Sequence, residues 1–78
     1  MPREQTIRIL AEMVANVIVV EVAVGDDVAP GDPVCLMESM KMEIPVLSEE
    51  GGVVSAIKVA PGDVVQEGDI LVELSVPR

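Results

Sequence analysis

Lysine and cysteine supply the nucleophilic side chains of this chain of 78 residues, and both residue types are scarce. Lys41 and Lys58 are the two lysines, Cys35 is the one cysteine, and histidine is absent. Without histidine, Cys-His and Ser-His catalysis and histidine metal ligation are excluded. Cys35 has no partner for an internal disulfide, and its apolar neighbours Val34 and Leu36 predict a packed thiol. These exclusions direct attention to the two lysines.

Lys41 lies where two similar halves of the sequence meet. It sits in the run Met-Glu-Ser-Met-Lys-Met-Glu at positions 37–43. A shift of 37 positions aligns the halves, and the aligned pairs that are identical include Ile7/Ile44, Leu10/Leu47, Glu12/Glu49, Val17/Val54, Gly25/Gly62, Asp26/Asp63, Val28/Val65, Gly31/Gly68 and Asp32/Asp69. Such self-similarity indicates two copies of one unit. The copies cover about residues 5–38 and 42–75, and residues 39–42 form the tip between them.

The elements that must position the lysine are predicted to be strands. Residues with β-branched side chains dominate, and apolar positions alternate instead of recurring at helical spacing. Eight short strands are predicted near 7–11, 17–22, 28–29, 34–39, 42–47, 53–58, 65–66 and 70–75. Gly-Asp and Pro-Gly-Asp sequences between them supply turns. This spacing predicts a sandwich or barrel in which the halves pack across an approximate two-fold axis, with Val22 and Val59 in the core.

Length and charge limit the functions that are possible. The chain has room for one small domain, predicted to span residues 1–78. Its net charge of −9 and its lack of aromatic residues argue against binding to nucleic acid or to an anionic membrane. No apolar stretch is long enough to span a bilayer, and the sequence Met1-Pro2-Arg3-Glu4 lacks the apolar core of a signal peptide. The sequence therefore predicts a cytoplasmic protein.

The turn at Lys41 departs from the pattern of the other turns. Most other turns contain Gly, Pro or Asp, whereas this reversal must be made through residues 39–42, Ser-Met-Lys-Met. A two-residue hairpin loop requires positive φ angles, which Met and Lys disfavour, so local strain is predicted. Two methionines at an exposed tip favour a surface that meets a partner. The alternative is a hairpin whose methionines fold back and whose lysine is simply solvated.

Residues 38–43, Glu-Ser-Met-Lys-Met-Glu, resemble the modification site of the biotinyl/lipoyl attachment domain family. The framing sequences Val-Gly-Asp-Asp-Val-Ala-Pro-Gly-Asp-Pro-Val and Gly-Asp-Val-Val-Gln-Glu-Gly-Asp-Ile-Leu extend the resemblance over residues 7–75. A lysine between two methionines is typical of the biotin carboxyl carrier branch. Lipoyl domains usually place Asp before and Ala after the modified lysine.

The resemblance implies a fold, a cofactor and partners. The fold is all-β, a flattened eight-stranded barrel-sandwich of two four-stranded antiparallel sheets with internal pseudo-two-fold symmetry. Lys41 is implied to bear covalent biotin and to carry carboxybiotin between biotin carboxylase and carboxyltransferase active sites. Met40 and Met42 are implied to be read by biotin protein ligase and the carboxylase partners, with the recognised hairpin completed by Ser39 and flanked by Glu38 and Glu43. The chain would be a non-catalytic carrier subunit, with no catalytic residues and no metal ligands.

Some features depart from the family pattern. Ser39 stands where Ala is common, and Val14-Ala15 stands where many members have Pro-Gly. The short link between Val22 and Val34 leaves no space for a protruding insertion, so the chain resembles a thumbless carrier of the small free-standing kind. Lys58 matches no modification site and is expected to be a solvated strand residue. Two alternatives are a lipoyl carrier of an acyl-transfer complex, modified at the same lysine, and an unmodified β interaction module.

Overall fold

A computed structural model describes residues 4–77, and every regular element among them is a strand. The eight strands are β1 (Glu4–Leu10), β2 (Ala15–Val20), β3 (Asp27–Val28), β4 (Pro33–Ser39), β5 (Met42–Leu47), β6 (Gly52–Ile57), β7 (Val64–Val65) and β8 (Ile70–Pro77). The predicted number and order of strands are confirmed. No helix in the described part of the chain is long and apolar enough to cross a membrane.

Several strand bounds differ from the predicted ones because pairing sets them. β1 and β8 pair along their whole lengths, from Glu4 opposite Pro77 to Leu10 opposite Ile70, so both extend beyond the predicted bounds of 7–11 and 70–75. β2 starts two residues earlier than predicted, because Ala15 and Asn16 pair with β7, and it ends two residues earlier, at Val20. The partner strand is distant in sequence, so this extension leaves no local signal.

The strands form two four-stranded antiparallel sheets, as predicted. One sheet has the order β1-β8-β6-β3 and the other has the order β5-β4-β2-β7. Replacing each strand of the first sheet by its equivalent 37 residues away gives the second sheet, so the repeat seen in the sequence is also the symmetry of the fold. Each sheet takes two strands from each half of the chain, and neither half forms a sheet alone.

Four turns of one design connect consecutive strands, two turns within each half of the chain. Each consists of two residues followed by Gly and Asp, and the glycine has a φ angle between 91° and 97°. The Asp backbone N–H donates to the carbonyl three residues earlier, and the Asp carboxylate accepts a hydrogen bond of 2.9 Å from the N–H of that same earlier residue. Positive φ at the third position is the geometry of a type II turn, which glycine adopts without steric cost. The four turns are at residues 23–26, 29–32, 60–63 and 66–69.

The core lies between the sheets and repeats the same symmetry. Its fully buried pairs, related by the shift of 37, are Ala11/Ser48, Val17/Val54, Val28/Val65, Val34/Leu71, Cys35/Val72 and Met37/Leu74. Cys35 is a free, fully buried thiol, as its neighbours predicted. The core assignment of Val22 and Val59 was too strong, because both lie beyond the ends of β2 and β6 and are only partly buried against the core.

Candidate functional site

The site begins with the β4–β5 hairpin, whose strands stay in register to its end. Met37 lies opposite Ile44, Glu38 opposite Glu43, and Ser39 opposite Met42. Met37 is fully buried, so it anchors this ladder to the core four residues before the lysine. The turn is therefore a two-residue loop at the end of a fixed pair of strands.

Met40 and Lys41 form that loop, and both have left-handed backbone conformations. Their φ angles are 53° and 67°, and within residues 4–77 they are the two non-glycine residues with positive φ. Positive φ at both central positions is the requirement of a type I′ turn, which matches the right-handed twist of the flanking strands. The predicted strain is confirmed. A left-handed residue with a side chain costs roughly 1–2 kcal/mol, so the flanking strands must hold this conformation.

The side chains around the lysine point away from the protein. Met40 is 92% exposed and Met42 is 66% exposed, so the alternative in which the methionines fold back onto the barrel is wrong. Lys41 is also exposed, and its ammonium makes no hydrogen bond or ion pair with any residue between positions 4 and 77. A primary amine at the tip of a rigid hairpin, open to approach from outside, can be modified without moving the fold.

Two glutamates place negative charge at the base of the turn. Glu38 and Glu43 are exposed and directly opposite each other on β4 and β5. Like charges in this arrangement destabilise a ladder by a fraction of a kcal/mol, about the size of a favourable cross-strand pair. Ser39 is half-buried between them and the turn. The predicted site residues 38–43 are thus gathered on one hairpin, with the apolar methionines outermost and the acidic pair behind them.

A shallow cleft beside the turn adds residues that the sequence had not singled out. Its volume is about 310 Å³, and its lining includes Val14, Asn16 and Val64 together with Met40 and Lys41. Val14 and Val64 are exposed although they are apolar. They reach the turn because β2 pairs with both β4 and β7. Val14 stands in the Val14-Ala15 departure from the family pattern, which is the one sequence signal that points to this surface.

Lys58 occupies a different place. It follows the last residue of β6, so the prediction that it lies within a strand is wrong. Its backbone N–H donates to the carbonyl of Leu71, its side chain is exposed, and it is not part of the β4–β5 hairpin. Among residues 4–77 there is also no group of three or more potential ligands arranged to hold a metal ion.

Comparison with known proteins identifies the wider group. The family model described as biotin-requiring enzyme matches residues 8–74. A protein from Mycobacterium leprae described as a homolog of biotinylated protein TB7.3 is 51% identical over 65 residues, covering 83% of this chain and 92% of that protein. A biotin/lipoyl attachment protein from Bacillus subtilis is 45% identical over 64 residues, covering 82% of this chain and 88% of that protein.

A solved structure shows the same fold inside a much larger protein. The urea carboxylase of Kluyveromyces lactis superposes with a TM-score of 0.84 and 31% sequence identity. The match covers 90% of this chain and 6% of the carboxylase chain. The barrel-sandwich described above therefore occurs both in proteins of similar size and as a small part of a carboxylase.

Proposed function

Because the chain belongs to the biotin attachment family and is homologous to the biotin carboxyl carrier domains of carboxylases, we propose that it carries biotin on Lys41. The observation that supports this site most strongly is the exposed, unpaired amine of Lys41 at the end of the strained hairpin, between two exposed methionines. Lys58 lacks that setting.

Attachment would form an amide between the ε-amine of Lys41 and the biotin carboxyl group, activated as the adenylate by a biotin protein ligase. The amine loses a proton and adenylate leaves as AMP. The charges nearest in the chain sequence are the acidic Glu38 and Glu43, and no histidine exists in the chain, so we assign the base to the ligase. Conversion to the amide removes the lysine charge and changes the net charge from −9 to −10. We also propose a cytoplasmic location, a compartment that supplies the ATP that ligation consumes.

The chain's own residues would supply position. When bound, biotin provides a ureido nitrogen that can accept and release a carboxyl group. β4 and β5 hold Lys41 at the end of a ladder anchored by buried Met37, and Met40 and Met42 offer apolar contacts to a docking protein. A tethered group reaches an effective concentration of order mM for a short flexible link, which is the physical advantage of a carrier. We assign the partners as biotin protein ligase, biotin carboxylase and carboxyltransferase, and we assign no catalytic residue to the chain.

The test is the intact mass after incubation with biotin protein ligase, biotin and ATP. We expect a gain of one biotin less one water, mapped by peptide analysis to Lys41. The variant Lys41→Arg should gain no mass, and the matched control Lys58→Arg should gain mass as the wild type does. A parallel reaction with lipoate ligase separates the two carriers. Modification of Lys58, or modification by lipoate alone, would contradict the proposal.

A further inference from the structure

A groove separates the outer strands of the two sheets. β1 and β5 each stand at one end of a sheet and pair with one strand, β8 and β4 respectively. The space between the two strands has a volume of about 950 Å³. It lies outside the turn at residues 39–42, none of which lines it.

The groove is an incompletely covered part of the core. The inward-facing residues of the two strands, Ile7, Ile9, Ile44 and Val46, all remain partly exposed. Residues 5–10 and 42–47 include no fully buried side chain, whereas β2, β4, β6 and β8 each contain at least one. Both strands therefore present apolar side chains that their own fold leaves partly open to solvent.

Larger apolar side chains stand at the edge of this groove. Leu10 is 44% exposed and Leu47 is 51% exposed, and the two are equivalent under the shift of 37. Both line the groove, as does the exposed Met13. Matched exposure at equivalent positions follows from the symmetry of the fold, and it gives the groove an apolar edge on each side.

The charge around the groove is strongly negative. Glu12, Glu49, Glu50 and Glu67 line it. Among residues 4–77, Arg8 is the one cationic residue in its lining, and it is engaged across the ladder with Glu73, with 3.3 Å between Nε and Oε2. A partner that covers the apolar floor would therefore meet four carboxylates and, within the described part of the chain, no uncommitted cation.

We propose that the groove between β1 and β5 binds a segment of a partner protein that carries apolar side chains flanked by Lys or Arg. Such a segment would cover the apolar floor and place its cations beside the glutamates, so the apolar and the electrostatic contributions favour the same occupant. A second copy of this chain would bring its own acidic rim to the groove, and like charges disfavour that pairing. The proposal needs no modification at Lys41 and stands independently of the carrier function.

The test uses unmodified protein and the synthetic peptide Lys-Leu-Lys-Val-Lys-Leu-Lys, capped at both ends. Methyl NMR should show saturable shifts at Ile7, Ile9, Ile44 and Val46, and the dissociation constant should rise with salt. The charge-reversed peptide with Glu in place of Lys should cause no shifts. Shifts that spread evenly over the acidic surface, or no binding at all, would overturn the proposal.

Variants separate the groove from general attraction to an acidic protein. Leu10→Ser with Leu47→Ser should weaken peptide binding about tenfold, because two apolar contacts are lost. The matched control, Val19→Ser with Val24→Ser, alters two exposed valines outside the groove and should leave binding unchanged.

A second pair keeps the test valid if the leucine variant unfolds. Glu12→Gln with Glu49→Gln changes two exposed residues of the groove and should weaken peptide binding. The matched control, Glu21→Gln with Asp27→Asn, changes two exposed residues outside the groove and should leave binding unchanged. Equal effects of the two pairs would contradict the proposal. A concentration-dependent dimer in sedimentation, abolished by Leu10→Ser, would assign the groove to a second copy instead.

Discussion

Met40 and Lys41 show how a conformational cost can be kept at a functional position. Asn-Gly would form the same two-residue turn with little strain, yet the chain has Met-Lys there, with φ angles of 53° and 67°. The register of β4 and β5 overrides the preference of both residues, because buried Met37 fixes β4 on the core and pairs with Ile44 of β5. The strain therefore indicates that Met and Lys are kept at this turn for their side chains, although they make the turn less stable than Asn-Gly would.

Replacing Met40 by Asn should separate stability from recognition. Asn adopts the left-handed region readily, so Met40→Asn should raise the free energy of unfolding by about 0.5–1 kcal/mol. The same variant should be biotinylated more slowly, since an exposed apolar contact is lost. Urea denaturation and a ligation time course measure the two effects. Met42→Asn is the control, because position 42 is a strand residue; equal stabilisation by both variants would contradict the strain argument.

Cys35 makes stability depend on pH. Burial raises the pKa of its thiol above the ordinary value of 9.0, and the negative charge of Glu21 adds to the effect. The thiol thus stays neutral in the folded state while the unfolded chain begins to ionise, so stability is fully present below pH 9.0 and falls as the pH rises above it.

The slope of that loss is limited to about 1.4 kcal/mol per pH unit for one group. Denaturant unfolding at several pH values between neutral and alkaline would measure it. Cys35→Ala should be less stable at every pH because a cavity forms, but the difference between it and the wild type should shrink as the pH rises above 9.0. A constant difference across that range would disprove the linkage.

At the scale of elements, the four Gly-Asp turns are a repeated device that carries the chain from one sheet to the other. In each, the aspartate both closes the turn through its backbone N–H and caps an earlier N–H through its carboxylate. Two of them also carry Pro at the second position, Pro30 and Pro61, where its fixed φ suits the turn.

Removing one carboxylate from this device should have the same effect in both halves. Asp26→Ala and Asp63→Ala each remove a hydrogen bond of 2.9 Å to a backbone N–H, at Ala23 and Ala60 respectively. We expect each to lower the free energy of unfolding by about 1 kcal/mol. The exposed neighbour Asp27 serves as the control, and Asp27→Ala should change stability little. A large difference between the two equivalent sites would mean that the halves do not share this energetic role.

The turns and the alternation of apolar residues made most of the fold predictable from sequence. Gly25, Gly31, Gly62 and Gly68 mark by residue type alone the four turns that bound the short strands β3 and β7. Strand bounds were less predictable, since Ala15 and Glu4 join ladders only through partners distant in sequence. The hairpin site could be predicted from the sequence because its residues are contiguous. The cleft at Val14 and the groove between β1 and β5 could not be predicted, because each brings together residues from separate strands.

At the scale of the whole molecule, the halves are interlocked instead of stacked. β1 and β3 of the first half share a sheet with β6 and β8 of the second, and the exchange is repeated in the other sheet. The resulting body measures 46 × 19 × 17 Å. Glu4 pairs with Pro77 and Ser39 pairs with Met42, so the described ends of the chain lie together while the hairpin closes a different ladder.

This interlocking has a consequence for the order of folding. Of the four strand pairings that join the halves, β4 with β5 joins neighbours in sequence, whereas β1 with β8, β3 with β6 and β2 with β7 must each close a long loop. Forming distant pairings is slow because chain entropy is lost before contacts compensate for it. We therefore expect the β4–β5 hairpin to form before the other three pairings, and its turn is the strained Met40-Lys41 pair. We expect the conformational cost at Met40 and Lys41, which present the lysine, also to slow this early step of folding.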